Sequence, residues 1–391
     1  LDLSPRGGER CLYSRSNAHM TECLAAVVTK YRDPTELWKV PIPDLAQGSV
    51  LIKVDAATLC GTDAHRWMGH LSEEGGPDQP FIEPLKLPYT PGHETCGTIV
   101  ETRGAVTDIL DQPLKPGDRI ISSYSHCGHC YYCRVTRQTT LCHENTSFGH
   151  SHPNKVMGGC AEYHYFPPGG TFIRVPENVP PELAASAACA LRTMMHSYEQ
   201  LGLIGSHESM LIQGCGPLGL YALAIAKDRG VKKVLVLGAP AARLAVAKEW
   251  GADHVLDLTK EEKSADRVAW VRDLTSGRGA DIVMNCANSH ALPEGLRMAR
   301  PGGRLVQVGV SGGSDVAVPP MLFFRGVQIH STVMAEARHF YQAVEFIATR
   351  SKQFDFKKLI SNTYTLDKLT DALKAMSEFR EVKPLILPRA A

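Results

Sequence analysis

The sequence predicts an α/β protein of two units, a β-barrel-like domain and a doubly wound parallel sheet. Three observations lead there. From about residue 22 to 180, short β-branched runs are separated by Pro- and Gly-rich turns, the texture of a barrel. From about 190 to 335, short apolar runs alternate with helical stretches, which indicates parallel strands covered on both faces. The chain has 391 residues, enough for two or three domains at about 150 residues each.

The elements follow in order. Val50-Leu51-Ile52-Lys53-Val54 and Gly97-Thr98-Ile99-Val100-Glu101 are strand candidates, and the turn Pro116-Gly117-Asp118 precedes a third at Arg119-Ile120-Ile121. In the second unit Ser209–Gln213 reads as a strand, followed by a Gly-rich turn and a helix through Ala226. Val234–Leu237, Asp281–Met284 and Arg304–Val308 continue the strands, with a helix expected over Arg243–Trp250. Beyond about 336 a helix and a last strand near Leu385–Leu387 return to the first unit. The expected division is 20–189 with 336–391, and 190–335. Residues 1–19 read as a tag, because Ser16-Asn17-Ala18-His19 before Met20 has the look of a cloning remnant.

Charge narrows the partners. Lys+Arg 42 against Asp+Glu 41 leaves a net charge of +1, which calls for neither nucleic acid nor an anionic membrane. No apolar run approaches the roughly 20 residues of a membrane span. A small-molecule substrate and a cytoplasmic location are the expectation, with the cysteines reduced.

Two patterns carry chemistry by their spacing. Cys127-x2-Cys130-x2-Cys133-x8-Cys142 places four thiolates where they can close a tetrahedral zinc site, saturated and therefore structural. His126, His129 or His143 is an alternative ligand there. Gly214-Cys215-Gly216-Pro217-Leu218-Gly219 fits the G-x-G-x-x-G turn that seats a dinucleotide pyrophosphate on a helix N-terminus. After the second strand comes Gly238-Ala239-Pro240, where an NAD site usually carries an acid. That absence, with Arg243 nearby, leans the cofactor from NAD towards NADP, although Arg243 also suits a solvated helix face. Val308-Gly309-Val310 falls at the carboxyl edge of the sheet, where a nicotinamide rests.

A third set is scattered: Cys60-Gly61-Thr62-Asp63-Ala64-His65, Gly92-His93-Glu94, and Cys189 after a run of small residues. Mixed sulfur and nitrogen ligands with one open position are what a catalytic zinc needs. Together with the four-cysteine segment and the Gly-rich turn, in this order over about 22–388, they resemble the zinc-containing medium-chain alcohol dehydrogenase family. The resemblance implies a GroES-like β-barrel catalytic domain plus a Rossmann domain, with the active site in the cleft between them. It implies an oxidoreductase that interconverts an alcohol and an aldehyde or ketone by hydride transfer with NAD(P), using one catalytic and one structural zinc. Cys60, His93 and Cys189 match the catalytic ligands, Glu94 a carboxylate behind the metal that can exchange with water as a further ligand, and Asp63 the partner of the ligand histidine. Thr62 and His65 match a proton relay, Thr193 a contact to the nicotinamide, and Lys383 a neighbour of the cofactor phosphates. A homodimer or homotetramer built through the edge segment Val327-Gln328-Ile329-His330 is also implied.

Several features depart from the family. The cysteine segment holds one residue more between Cys133 and Cys142. A Pro-rich stretch over 70–90, with Pro77, Pro80, Pro84 and Pro88, would reshape the cleft. Glu162 matches a segment that supplies a metal-ligating Glu in polyol and threonine dehydrogenase relatives. Two alternatives stay open: a zinc-free quinone or enoyl reductase, and a dehydrogenase specialised for an anionic alcohol. For the latter, Arg192 could hold a carboxylate or phosphonate, beside a polar wall of Ser122, Ser123 and Tyr124.

Overall fold

The computed structural model describes residues 21–70, 85–146, 148–310 and 315–388. The tag reading of 1–19 and most of the Pro-rich stretch lie outside the described residues.

Strands β1 (Glu22–Val27) and β2 (Glu36–Pro41) form an antiparallel ribbon. In the barrel sheet, β3 (Val50–Thr58) pairs antiparallel with both β4 (Glu94–Thr102) and β6 (Tyr163–Phe166). Beyond β4 lie β5 (Arg119–Ser122) and β7 (Phe172–Arg174). The second sheet is parallel throughout. Its strands are β8 (Ser209–Gln213), β9 (Lys233–Gly238), β10 (His254–Asp257), β11 (Ala280–Asn285), β12 (Ala299–Gln307) and β13 (Gln328–Ser331). Their spatial order is β10-β9-β8-β11-β12-β13. Finally β14 (Thr363–Tyr364) and β15 (Leu385–Ile386) rejoin the barrel sheet, β15 lying antiparallel on β3. Every residue of β8 and β11 is buried, as strands covered by helices on both faces must be. Strand order reverses between these two, so a crevice for a ligand opens at their carboxyl ends.

Two expected boundaries shift. The strand foreseen at Arg304–Val308 runs from Ala299 to Gln307, and Val308 already belongs to the turn beyond it. The helix foreseen from Arg243 starts at Ala241, directly after Pro240.

The joint between the units decides where the chemistry can sit. Helices Pro181–Ser186 and Arg192–Leu201 are continuous through a π-helical turn, Ala187–Leu191, which contains Cys189. Ala184, Ala185, Ala187 and Ala188 are buried, and their small side chains let this helix approach the barrel closely. One apolar core therefore runs from Ala56 and Cys96 of the barrel through these alanines to Met210 and Ile212 of β8. π turns of this kind are rare and gather at functional sites, because the extra residue re-aims a side chain.

The chain returns through Glu336, the N-cap of the helix Ala337–Arg350. Its buried carboxylate accepts from the backbone N–H of Thr139 and Thr140, at 3.1 and 3.2 Å, and from both their hydroxyls. Both threonines lie between Cys133 and Cys142, so the return crossover grips the cysteine segment. Further on, Arg338 and His339 both bond Glu199 on the helix Arg192–Leu201.

Arg338, then the His339 hydrogen bond, hold the Glu199 carboxyl down to about 2 from its ordinary 4.5. A depressed carboxyl stabilises the fold fully above 4.5 and loses that contribution as pH falls towards 2. The Arg338 and Glu199 side chains are 50% and 41% exposed, so the effect is small. The melting-temperature gap between wild type and Glu199→Gln, present near neutrality, should close across that acid range. A gap that persists unchanged below it would contradict the assignment.

Candidate active site

The Gly-rich turn follows β8 and opens the helix Pro217–Asp228, with Pro217 at its first position. Gly214 has a φ of +99°, which L side chains rarely adopt, and a Cβ at Gly219 would sit 1.8 Å from the Gly214 carbonyl oxygen. The helix therefore packs on the turn more closely than any side chain permits. At Gly216, by contrast, a Cβ would meet only Arg243 Nη1, at 4.0 Å, so the turn presents an open face beside a cation. Leu218 packs against the core. Across the crevice, Val308 and Gly309 donate backbone N–H bonds to Asn285 at the end of β11, and Val310 is exposed. An open glycine cradle at a helix N-terminus fits a pyrophosphate.

The mixed donor set converges. Ligand atoms of Cys60, His93, Glu94 and Cys189 all lie within 4.8 Å of one another. The sulfurs of Cys60 and Cys189 are 4.0 Å apart. Two thiolates, each about 2.3 Å from a tetrahedral zinc, would be ~3.8 Å apart. Cys60 caps the short helix Gly61–Trp67, so Thr62, Asp63 and His65 leave it in a single turn. Asp63 is buried and does three jobs: it accepts from Cys60 N at 2.8 Å, Gly92 N at 3.3 Å and His93 Nδ1 at 3.3 Å. It thus ties both ligand-bearing segments together and leaves Nε2 of His93 for the metal. Thr62 Oγ1 is 3.7 Å from Cys60 Sγ. His65 Nδ1 lies 3.4 Å from Nδ1 of the exposed His70.

These groups perturb one another strongly. The hydrogen bond from Cys189 holds the Cys60 thiol well below its ordinary range, against the effect of burial. The same bond, then burial, push Cys189 up. For His93 burial opposes the charge, yet Asp63 and Cys189 overcome it and raise the imidazole well above its usual value. Protons shared so tightly among two thiols and an imidazole are those a divalent cation releases on binding. Glu94 is fully buried, and burial pushes its carboxyl up. Lys383 Nζ donates to both its oxygens, at 2.7 and 2.5 Å, and Thr58 donates from the other side.

The four-cysteine segment also closes on one point. Sulfur separations are 3.9 Å for Cys127–Cys133, 3.5 Å for Cys130–Cys133 and 3.9 Å for Cys130–Cys142. All four ligand atoms lie within 4.8 Å of each other, as a tetrahedral zinc site of four thiolates requires. His129 and His143 are engaged elsewhere, His129 at the Cys127 carbonyl and His143 stacked on Tyr132.

Comparison with known proteins bears directly on these two sites. Residues 46–177 match the alcohol dehydrogenase GroES-like domain, and 217–349 the zinc-binding dehydrogenase domain. A 5-exo-hydroxycamphor dehydrogenase of Pseudomonas putida is 30% identical over 92% of this chain and 98% of its own length. The chain belongs to the zinc-binding alcohol dehydrogenase family. An alcohol dehydrogenase structure from Thermotoga maritima, 28% identical, covers 94% of this chain and 100% of its own with a TM-score of 0.84. A Sinorhizobium meliloti protein described as a zinc-binding dehydrogenase, bound to NADP, gives 0.79 at 26% identity over 94% and 99%. As a member of this family the chain is a zinc-dependent oxidoreductase that uses NAD(P) and a small-molecule alcohol. The zinc-free reductase alternative does not fit the two converged donor sets. Among the described residues, no helix of this dehydrogenase is long and apolar enough to cross a membrane.

Three expectations need correction. Glu162 stands apart from the catalytic donor set. It lies just before β6, where Ala161 and Tyr163 are buried in the core, while the Glu162 carboxylate between them accepts from Leu24 N at 2.9 Å. Lys383 does not lie free for a cofactor phosphate, because its ammonium is buried on Glu94. Local spacing offered little warning, since these partners are 289 residues apart. Ser122 and Ser123 provide no polar wall: their hydroxyls are spent on the carbonyls of Ser123 and Tyr124. Arg243 is half-buried rather than on a solvated helix face, with Nη2 on the Glu381 carbonyl at 2.7 Å and Nη1 towards Gly216.

Because Asp63 orients His93 through Nδ1, Asp63→Asn should weaken zinc binding about 10- to 100-fold. A chelator-competition titration reads this directly. Affinity equal to wild type would show that the carboxylate is dispensable.

Proposed function

We propose that Cys60, His93 and Cys189 hold the catalytic zinc and that Cys127, Cys130, Cys133 and Cys142 hold a second, structural one. Support comes above all from the engagement of Glu94 by Lys383, which leaves three ligands and one position for substrate. When bound, zinc supplies the Lewis acidity that lowers the pKa of an alcohol hydroxyl, and NAD(P) accepts the hydride.

The chain's own residues then position and deprotonate. Asp63 fixes the His93 ring. Thr62, whose hydroxyl sits beside Cys60, takes the alcohol proton and passes it towards His65. Burial, then the neighbouring His70 charge, lower the His65 pKa, so the ring is neutral at physiological pH and able to accept. His70 is exposed and completes the route to water. Thr193, Val308, Gly309 and Val310 line the nicotinamide side, and Gly214, Gly216, Pro217, Leu218 and Gly219 cradle the pyrophosphate.

NADP is the preferred cofactor in this reading. Gly238-Ala239-Pro240 offers no carboxylate to repel a 2′-phosphate, and Arg243 Nη1 stands at the turn. We divide the chain into 20–189 with 336–391, and 190–335. Assembly as a dimer or tetramer runs through β13, which pairs on one side only, next to the exposed Met321, Phe323 and Phe324. Free cysteines, with no disulfide among the described residues, suit the cytoplasm.

Thr62→Val should lower turnover roughly 100-fold or more with zinc content and cofactor affinity retained. Turnover of a responsive alcohol, followed at the nicotinamide absorbance, checks this. An unchanged rate would remove the relay.

A further inference from the structure

Arg192 is 3% exposed, yet its hydrogen bonds go to neutral groups. Nε donates to the Ala188 carbonyl at 3.0 Å and Nη2 to the Tyr124 hydroxyl at 3.4 Å, while buried Nη1 has no partner. Arg304 and Arg267 are also largely covered, but each meets a carboxylate, Glu208 and Glu294 respectively. The Arg192 guanidinium instead lies between two aromatic rings, 5.4 Å from the centroid of Tyr124 and 5.1 Å from that of Phe340. Ring faces attract a cation but return only part of the hydration that burial removes. A water on Nη1 would satisfy the N–H and leave the charge uncompensated. The group lacks an anion.

Its position says where that anion comes from. Arg192 opens its helix immediately after the π turn that carries Cys189. Two residues on, Met194 meets Cys286 just past the end of β11, on the nicotinamide side. The Tyr124 ring packs edge-on against Phe148 at 5.3 Å. Phe148 precedes Gly149, where a Cβ would lie 2.7 Å from His93 N. The guanidinium is thus bracketed by the segments that carry and back two of the catalytic ligands, in surroundings where low polarity strengthens an ionic contact.

We propose that the alcohol substrate carries an oxyanion, a carboxylate or a phosphonate, and that Arg192 Nη1 receives it as the specificity-determining residue. This deepens the alcohol dehydrogenase reading and rests on it. The guanidinium supplies two N–H donors from Nη1, while Nε and Nη2 hold its plane in place.

The experiment compares short hydroxycarboxylates and hydroxyalkylphosphonates with neutral amides and alkanols of matched length, using both cofactors. For wild type, kcat/KM should favour the oxyanion series about 10- to 150-fold, the range of one hydrogen bond to a charged group. In Arg192→Met that ratio should fall to near one, chiefly through KM, and Arg192→Lys should retain part of it. Preference for one oxyanion over the other narrows the class and supports the proposal. Equal wild-type kcat/KM on charged and neutral series overturns it, as does a ratio unchanged in Arg192→Met. Should Arg192→Met fail to fold, the wild-type ratio and its decline in Arg192→Lys decide. Oxidation of neutral alcohols alone overturns the proposal and leaves the dehydrogenase reading intact; oxidation of neither series overturns both.

Discussion

Two thiols and an imidazole, brought within bonding reach of one ion from segments that are far apart in the chain, set the terms for the rest of this molecule. Cys60 caps the helix just after a barrel strand, His93 precedes another, and Cys189 sits in the helix that crosses towards the parallel sheet. Bringing these together buries groups that repel or compete for protons, and the structure compensates locally. Asp63 spans Cys60, Gly92 and His93, and Lys383 neutralises Glu94. Removing one partner of such a buried pair typically costs about 3–5 kcal/mol, because the remaining charge is left uncompensated.

The architecture around this centre serves the same end. Small residues from Ala184 to Ala190 let the crossing helix contact both sheets within one core, which fixes the distance from Cys189 to the crevice at the ends of β8 and β11. The cysteine segment is anchored separately, through Thr139 and Thr140 on Glu336, which ties it to the return crossover. The segments of Cys60 and His93 on the barrel and the Gly-rich turn on the parallel sheet are thereby joined through one packed core, with Cys189 in the helix between them.

Much of this was legible in the sequence because local spacing encoded it. The x2-x2-x8 cysteine pattern, the Gly-rich turn after Ser209–Gln213 and the apolar strands of the parallel sheet each depend on neighbours a few residues away. Cys60, His93 and Cys189 individually looked like ordinary residues, and only their order beside the other motifs singled them out. What stayed hidden depends on long-range pairing or on strand facing. Lys383 finds Glu94 across the whole chain, and Glu162 lies in the expected segment but spends its carboxylate on Leu24 N of β1. The serines before the cysteine segment kept their hydroxyls for the backbone, a choice that composition cannot reveal.

X-ray absorption at the zinc edge on the purified protein, with metal content measured on the same sample, tests the central claim most directly. Two zinc ions per chain, with about three sulfur ligands per zinc, is the expected result: the mean of a site with four thiolates and a site with two thiolates and one imidazole. Exchange of Cys60 for Ser should either lower the mean sulfur count with both zincs kept or leave one zinc per chain with four sulfurs, in each case a change from wild type with the four-thiolate site intact. A single zinc per chain with four sulfur ligands in the wild type would mean that Cys60, His93 and Cys189 hold no metal, and would contradict the account.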